Sequence, residues 1–295
     1  MTTSRGCPFS CSFCSSKIFW KNRYYKRTPK FVVDEIEKLI FEYGSKGIYF
    51  REDNFTVDKK HVIGICDEII SRNIKIEWEC ESRVDTIDRD VLKRMKEAGC
   101  TAIWCGVESG CQKTLDSIKK GYSLSDVRRF VKWCNELNIE IGTCYMLGFP
   151  DETIEDIRET FNFAKTLEVK WSSFATYFGF PLSELYEELL RNSLWEDKWE
   201  DVYIARNKQL TSAQLYYLEA AMNRDIRKYN QNYNETGIPA YKYYIVKIRQ
   251  CFLHPIYVFN RIKTRFHINK KNINSRLSFN KLVDKFKKEK HESNP

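Results

Sequence analysis

Short apolar runs alternate with amphipathic stretches along about the first 180 residues of the chain. The apolar runs predict strands at "GIYF" (47–50), "IKIEWEC" (74–80), "TAIWCGV" (101–107), "IEIGTCYML" (139–147) and "VKWSSFATYF" (169–178). The stretches between them repeat apolar residues at i, i+3, i+4 and i+7, which predicts helices over 32–44, 59–73, 89–99, 124–138 and 153–167.

Capping residues agree with these helix limits. Ser123 with Asp126 and Thr153 with Asp156 fit the pattern in which a hydroxyl and an acid three residues later cap a helix start. Gly44 stands where the first helix should end.

Strand–helix alternation at about 30 residues per unit indicates crossover connections and a parallel sheet. The residues before Cys7 would supply a sixth strand ahead of the five runs. Six units are too few for a closed eight-stranded barrel, so we expect an α/β fold, a partial (β/α)6 TIM-like barrel. Reactive groups should collect at the carboxyl ends of its strands.

The alternation fails after about residue 180. Residues 183–233 have helical patterns, and a mostly helical, basic C-terminal extension is expected. We predict a core partial barrel over 1–190, a helical extension over 191–267 and a basic, polar, flexible tail over 268–295.

Composition narrows the class of protein. The chain has no run of 18 apolar residues and no signal peptide, so we expect a cytoplasmic protein. Eleven cysteines in such a chain are not a disulfide framework. Eight of them are scattered and are expected to be small buried hydrophobes: Cys66, Cys80, Cys100, Cys105, Cys111, Cys134, Cys144 and Cys251.

The other three cysteines form a C-x3-C-x2-C cluster, Cys7, Cys11 and Cys14, just after the first predicted strand. Structural zinc sites and ordinary ferredoxin clusters usually have four protein ligands. Three thiolates on a cluster of four irons would leave one iron open to another ligand. The alternatives are a zinc-binding structural or adaptor protein and an electron carrier, which would normally need a fourth cysteine.

This part of the chain resembles the radical S-adenosylmethionine (radical SAM) superfamily. Besides the cysteines, Phe13 matches the aromatic residue that precedes the third cysteine. Further matching motifs follow successive strands, at "FREDNF" (50–55), "ESRVD" (81–85), "GVESG" (106–110) and "LGFPDET" (147–153). The likeness is greatest to the branch that often carries a cobalamin-binding domain before the barrel.

The resemblance implies a 4Fe–4S cluster on the three cysteines and S-adenosylmethionine on its open iron. Reductive cleavage would yield a 5′-deoxyadenosyl radical that takes hydrogen from an unknown substrate. Methyl transfer, rearrangement and oxidation remain open, and sulfur insertion is less favoured. Flavodoxin or ferredoxin would donate the electron, and the substrate would be a small molecule or a lipid-linked one.

The motifs suggest residues that bind the methionine end of this cofactor. Glu52 or Asp53 would accept from its ammonium group, or else be loop acids or helix caps. Arg83 would pair bidentately with its carboxylate, unless it forms only a salt bridge at the strand end.

Two further turns are expected to meet the cofactor. Glu108 and Ser109 lie beside glycines and could hydrogen-bond to it, the alternative being a purely structural turn. Gly148 and Phe149 belong to a tight turn that would lie near adenine or serve only as a connector.

The sequence departs from the family pattern in two places, which alters what we expect for substrate access and for cobalamin binding. Leu182 and Ser183 stand where many members have Gly-Thr, so access to the substrate side would differ. Only six residues precede Cys7, which makes cobalamin binding by this chain unlikely. A fragment of a longer protein, a split-gene product and an inactive truncated homologue are the alternatives.

Positive charge is concentrated at the C-terminal end. Residues 222–295 hold 17 Lys or Arg against 5 Asp or Glu, whereas the rest is slightly acidic. The basic–aromatic segment 241–267 suggests either a helix packed on the barrel or peripheral contact with the inner membrane surface. Nucleic-acid binding is less favoured.

Overall fold

The computed structural model describes residues 1–199, 202–230 and 277–292, and segment 241–267 and Cys251 lie outside them. The strands are β1 (Ser4–Arg5), β2 (Tyr25–Lys26), β3 (Gly47–Phe50), β4 (Glu77–Ser82), β5 (Cys100–Glu108), β6 (Glu140–Leu147), β7 (Trp171–Thr176), β8 (Trp195–Trp199) and β9 (Val202–Ala205). The helices are α1 (Ser16–Trp20), α2 (Pro29–Tyr43), α3 (Lys59–Ser71), α4 (Arg89–Glu97), α5 (Gln112–Ser117), α6 (Leu124–Glu136), α7 (Ile154–Lys165), α8 (Glu184–Arg191), α9 (Ser212–Asp225) and α10 (Phe279–Glu292).

Five parallel strands form the central sheet, in the order β3-β4-β5-β6-β7. Alternate residues of each strand, such as Ile103 and Cys105 of β5, join the apolar core that includes the helices. The predicted α/β partial barrel is confirmed, and the carboxyl ends of its strands lie at one edge of the sheet.

The segment before Cys7 departs from the predicted sixth strand. Met1 lies beside β3, because its amine donates to the Tyr49 carbonyl at 2.8 Å and its carbonyl accepts from Arg51 N–H at 3.1 Å. The chain then turns away, and β1 pairs antiparallel with β2. The carboxylates of Glu52 and Asp53 take the hydrogen bonds of this segment and prevent a longer pairing with β3.

The predicted helix caps are present. Both capping boxes form, from Ser123 with Asp126 on α6 and from Thr153 with Asp156 on α7. Gly44 ends α2 in the left-handed conformation at φ 65°. Local hydrogen bonding thus fixes where these helices begin and end.

The region after residue 180 differs from the prediction in two places. Strands β8 and β9 form an antiparallel hairpin inside the segment expected to be helical. Within the tail expected to be flexible, α10 buries Phe279, Leu282, Val283 and Phe286. Their i, i+3, i+4, i+7 spacing is that of an amphipathic helix. The many lysines around them make the segment polar in overall composition, and this is why it was predicted to be flexible.

Of the eight scattered cysteines, six are fully buried and Cys144 is half-buried. Their expected role as small apolar side chains is therefore met in the part of the chain that the structure covers. No helix there has both the length and the apolar character needed to cross a membrane.

Candidate active site at the carboxyl ends of the strands

The three clustered cysteines lie on the loop between β1 and α1, and the sulfurs of Cys11 and Cys14 accept hydrogen bonds. Arg83 Nη1 donates to Cys11 Sγ at 3.3 Å, and the Ser16 N–H donates to Cys14 Sγ at 3.4 Å. Hydrogen bonds of this kind orient thiolate ligands and adjust their metal.

Burial raises the pKa of the Cys7 and Cys14 thiols above its ordinary value. Without a bound cation these side chains would stay protonated at neutral pH. Metal binding displaces the protons and offsets the cost of burying the thiolates. The donor set therefore fits a cationic metal group.

Backbone hydrogen bonds tie the cysteine loop to the carboxyl ends of the sheet. The Ser12 N–H donates to the Ile118 carbonyl after α5, and the Ser12 carbonyl accepts from Leu185 of α8, both at 3.0 Å. The Gly6 N–H donates to Asp53 Oδ2, also at 3.0 Å. Three separate elements therefore fix the position of the sulfurs.

Glu52 lies beneath this loop with its carboxylate directed at the chain's own N-terminal segment. It accepts from the Thr3 N–H at 2.6 Å and from the Ser4 hydroxyl. Burial raises the pKa of Glu52. Both acids of the predicted pair thus support the cysteine loop in this structure.

Arg83 is buried behind Cys11, and its donors are occupied. Its Nε and Nη2 pair bidentately with Asp85, both at 2.9 Å, and Nη2 also reaches the Lys120 carbonyl at 2.5 Å. The guanidinium carbon lies 3.9 Å from the centre of the Phe9 ring. Arg83 therefore links the cysteine loop, the end of β4 and the loop after α5.

Lys120 is a site residue that sequence reasoning missed. Its Nζ forms a buried salt bridge with Glu108 Oε1 at 2.8 Å and lies 5.6 Å from the centre of the Phe13 ring. In the sequence it belongs to "KKGY" in a loop, where a lysine normally faces solvent. The sequence holds no signal for its burial.

Ser109 points away from the cysteines. Its hydroxyl lies 2.8 Å from that of Thr160 on α7 and accepts from the Cys111 N–H at 3.1 Å. Glu108, one residue earlier, faces Lys120 because its backbone adopts the left-handed conformation at φ 69°. The structure thus directs these neighbours to opposite sides of β5.

The turn after β6 completes this edge. Phe149 is buried, with its ring centre 6.1 Å from that of Phe13 and 5.3 Å from that of Tyr177. The Gly148 N–H donates to Glu152 Oε2 at 2.6 Å. Burial raises the pKa of Glu152 to about 8. Glu152 was also missed, although it lies within the quoted "LGFPDET".

Comparison with known proteins identifies relatives of this chain. The family model described as the radical SAM superfamily matches residues 1–164. An uncharacterized methyltransferase of Pyrococcus horikoshii is 36% identical over 192 residues, which are 65% of this chain and 42% of the relative. An anaerobic magnesium-protoporphyrin IX monomethyl ester cyclase of Cereibacter sphaeroides is 34% identical over 190 residues, 63% of this chain and 31% of that protein.

Two solved structures share the fold. The methyltransferase TsrM from Kitasatospora setae, with cobalamin and a [4Fe-4S] cluster bound, gives a TM-score of 0.61 at 21% identity, over 70% of this chain and 43% of that one. The cobalamin-dependent S-adenosylmethionine radical enzyme OxsB gives a TM-score of 0.65 at 13% identity, over 100% of this chain and 55% of that one. The chain therefore spans only part of the proteins it matches.

Proposed function

The chain belongs to the radical SAM superfamily, and we propose that it binds a 4Fe–4S cluster through Cys7, Cys11 and Cys14 and cleaves S-adenosylmethionine there. When bound, such a cluster supplies the electron that generates a radical for hydrogen abstraction from substrate. The observation that carries the proposal is the set of three thiols at the carboxyl edge of the sheet. Cys11 and Cys14 accept hydrogen bonds from Arg83 and Ser16, and burial raises the pKa of the Cys7 and Cys14 thiols, so a bound cation is needed to hold them as thiolates.

The buried pair of Lys120 and Glu108 matches the charges at the methionine end of the cofactor. Lys120 would attract its carboxylate and Glu108 its ammonium group, beside the cysteine loop. Arg83 is committed to Asp85 and to the Cys11 sulfur, so its proposed pairing with the carboxylate requires an exchange of partners. Ser109 faces α7, so its proposed hydrogen bond to the cofactor requires its hydroxyl to leave Thr160.

Phe13 and Phe149 would hold the adenine end. Their rings lie at the same edge as the cysteines and form an apolar surface that could exclude water from the reacting atoms. Asp53 and Glu52 would act through the loop that they support. Gly148, where a β-carbon would lie 2.8 Å from Leu215, would act through the turn that carries Phe149. We thus divide the site into a charged end and an aromatic end.

The names of the relatives indicate the general type of reaction and leave the substrate open. Their names include methyltransferases and a cyclase, so we propose methyl transfer or an oxidative ring closure. A reductant such as flavodoxin or ferredoxin would supply electrons. Structural relatives bind cobalamin, and the prediction that this chain does not stays a prediction.

Reconstitution under anaerobic conditions tests the proposal. The full chain should bind about four irons and four sulfides, and Cys7→Ala, Cys11→Ala or Cys14→Ala should each remove most of them. Cys134→Ala, a buried cysteine within the core on α6, is the matched control. With dithionite and S-adenosylmethionine, the loaded protein should release 5′-deoxyadenosine.

Two results would contradict the proposal. About one zinc per chain without iron or sulfide would favour the structural zinc protein. A loaded cluster that never cleaves S-adenosylmethionine would favour an electron carrier or an inactive homologue. Cytoplasmic location is a further proposal, and so is peripheral membrane contact, which the positive charge of residues 222–295 supports.

A further inference from the structure

The central sheet has a second face, turned away from the helices, which we call the inner face. On β4, Trp78 and Cys80 join the apolar core with the helices, so Glu79 and Glu81 between them point to the inner face. By the same alternation Trp104 of β5 belongs there. This face begins below the cysteine edge and runs down the sheet.

Two stacked indoles form the floor of the inner face. Trp104 and Trp171 lie with ring centres 5.3 Å apart and planes at 15°. Gly142 of β6 stands in register between them, and a β-carbon at this position would lie 2.3 Å from the Trp104 ring. The missing side chain is therefore what allows the two indoles to meet.

Above this floor, toward the cysteine loop, the inner face carries small side chains. Gly106, Cys144 and Ser173 occupy the next inward-facing row, and Met146 and the exposed Ala175 form the row beyond them. A β-carbon at Gly106 would lie 2.3 Å from Glu108 Oε1 and 3.5 Å from Lys120 Nζ, so this ion pair folds back over Gly106. At about 3.3 Å per residue, it closes the space from above two residues, or roughly 7 Å, beyond the floor. That space can hold a ring system directly beneath the proposed cofactor site.

Two carboxylates border this space, and neither has a cationic partner among the residues that the structure describes. Glu79 accepts from Trp104 Nε1 at 3.1 Å, and Glu81 accepts from the Tyr49 hydroxyl at 2.6 Å. Both are half-buried, and neither forms a salt bridge with a residue in the described ranges. Lys120, at the upper edge, is already neutralised by Glu108. Partly desolvated acids of this kind favour a bound cation.

We propose that the inner face binds the substrate, and that this substrate is a flat, largely apolar ring system carrying an ammonium or other cationic nitrogen group. The ring rests on the Trp104–Trp171 floor, and the cation meets Glu79 or Glu81. Because Glu79 holds the indole N–H of Trp104, a substituent on a ring over that indole lies within reach of the carboxylate. Anionic substrates are disfavoured. This inference rests on the proposed function for the catalytic role of the site.

Binding of paired probes to the full chain, saturated with S-adenosylmethionine, tests the inference. We expect 1-naphthylmethylammonium to bind at least about tenfold more tightly than 1-naphthylacetate in calorimetry or ligand-observed NMR. Propylammonium, which has the charge without the ring, should bind weakly. Glu79→Gln and Glu81→Gln should each lower affinity for the cationic probe about three- to tenfold.

Glu77→Gln is the matched control, because Glu77 alternates with Trp78 on the same strand but lies exposed at its start. It removes the same charge and should leave probe affinity unchanged. Trp171→Phe should weaken both naphthyl probes and preserve the preference for the cation. Circular dichroism and the unfolding midpoint establish that each variant is folded.

The inference is overturned if the anionic probe binds as well as the cationic one, or if Glu77→Gln matters as much as Glu79→Gln and Glu81→Gln. Displacement of the cationic probe by S-adenosylmethionine would overturn it too, since the probe would then occupy the cofactor's position. Probe binding does not require turnover. If the probes bind selectively but S-adenosylmethionine is not cleaved, only the proposed function is contradicted, and the inference about the inner face stands.

Discussion

Lys120 and Glu108 form a buried ion pair whose members depend on each other. Their side chains are 5% and 11% exposed, and Nζ lies 2.8 Å from the carboxylate. A buried charge is tolerated when it is paired, and removing one partner leaves the other desolvated and alone. The pair therefore couples the stability of the loop after α5 to the proposed cofactor site.

Lys120→Met should lower the free energy of unfolding by about 3–5 kcal/mol, because Glu108 would remain buried without its cation. Affinity for S-adenosylmethionine should fall as well. Urea denaturation and equilibrium dialysis measure the two effects. Adding Glu108→Gln to this variant should restore stability but not affinity.

Lys119→Met is the control for this prediction, since Lys119 is exposed and pairs with Glu184 at the surface. This substitution should lower the free energy of unfolding by less than about 1 kcal/mol. Equal losses from the two substitutions would contradict a special role for the buried lysine.

Glu152 predicts a pH dependence of stability. Its pKa of about 8 in the folded chain exceeds the ordinary value of 4.5, so the folded state holds a proton that the unfolded state releases. Stability should therefore fall as pH rises from about 4.5 to 8, by an amount on the order of a few kcal/mol. Glu152→Gln keeps an acceptor for the Gly148 N–H and should flatten that part of the profile.

Chemical denaturation at several pH values measures this profile. Asp151→Asn, on the exposed neighbour that pairs with Lys208, should leave the slope as it is in the parent chain. An unchanged slope in Glu152→Gln would show that the buried carboxyl does not govern this pH range.

The candidate site could be predicted from sequence only as far as its motifs extend. The cysteine spacing and the Gly148–Phe149 turn are recognisable in the sequence, because they are local patterns. The direction of a motif's side chains depends instead on residues that are distant in the sequence. Glu52 accepts a hydrogen bond from Thr3, and the hydroxyl of Ser109 contacts that of Thr160 on α7. The burial of Lys120 could not be predicted from the sequence, because it depends on residues that only the fold brings together.

At the scale of elements, β5, β6 and β7 pack through complementary side chains across the inner face. Gly142 lies directly beneath the Trp104 ring. A methyl group there has no space unless the indoles separate, which makes this glycine a packing requirement of the sheet.

Gly142→Ala should therefore destabilise the chain by about 1–3 kcal/mol and weaken the near-ultraviolet circular dichroism of the stacked indoles. Gly47→Ala serves as the control, because a β-carbon there would meet only the Glu77 carbonyl at 3.4 Å, an ordinary contact. An unchanged spectrum in Gly142→Ala would mean that the indoles do not depend on this position.

Elements were predictable where periodicity and caps agreed. Helices α2 to α4, α6 and α7 and the five parallel strands follow the apolar pattern within a few residues. The β8–β9 hairpin and α10 were missed for different reasons. The hairpin carries no alternating pattern that distinguishes it from a helix, and the apolar stripe of α10 is obscured by lysines.

Across the whole molecule, charge is separated along the chain. The part that forms the sheet is slightly acidic, whereas residues 222–295 hold 17 Lys or Arg against 5 Asp or Glu. A packing role alone does not need this excess. Each basic residue close to an anionic membrane surface would contribute about 1 kcal/mol, so the separation favours an anionic lipid surface as the partner.

We expect the full chain to co-sediment with anionic phospholipid vesicles at low salt and to be released at high salt, because screening weakens such attraction. Neutral vesicles should retain little of it. The triple substitution Lys242→Gln, Lys247→Gln and Arg249→Gln should reduce sedimentation without removing α10, which contributes to the core.

A matched triple substitution, Lys46→Gln, Lys60→Gln and Lys93→Gln, removes as much charge from exposed positions around the barrel. It should leave vesicle binding close to that of the parent chain, because those lysines lie outside the basic region 222–295. If both triple variants lose binding equally, net charge alone governs the interaction and segment 241–267 has no special part in it. If the parent chain itself fails to sediment with anionic vesicles, the basic excess serves another partner, and a lipid-proximal substrate loses its support.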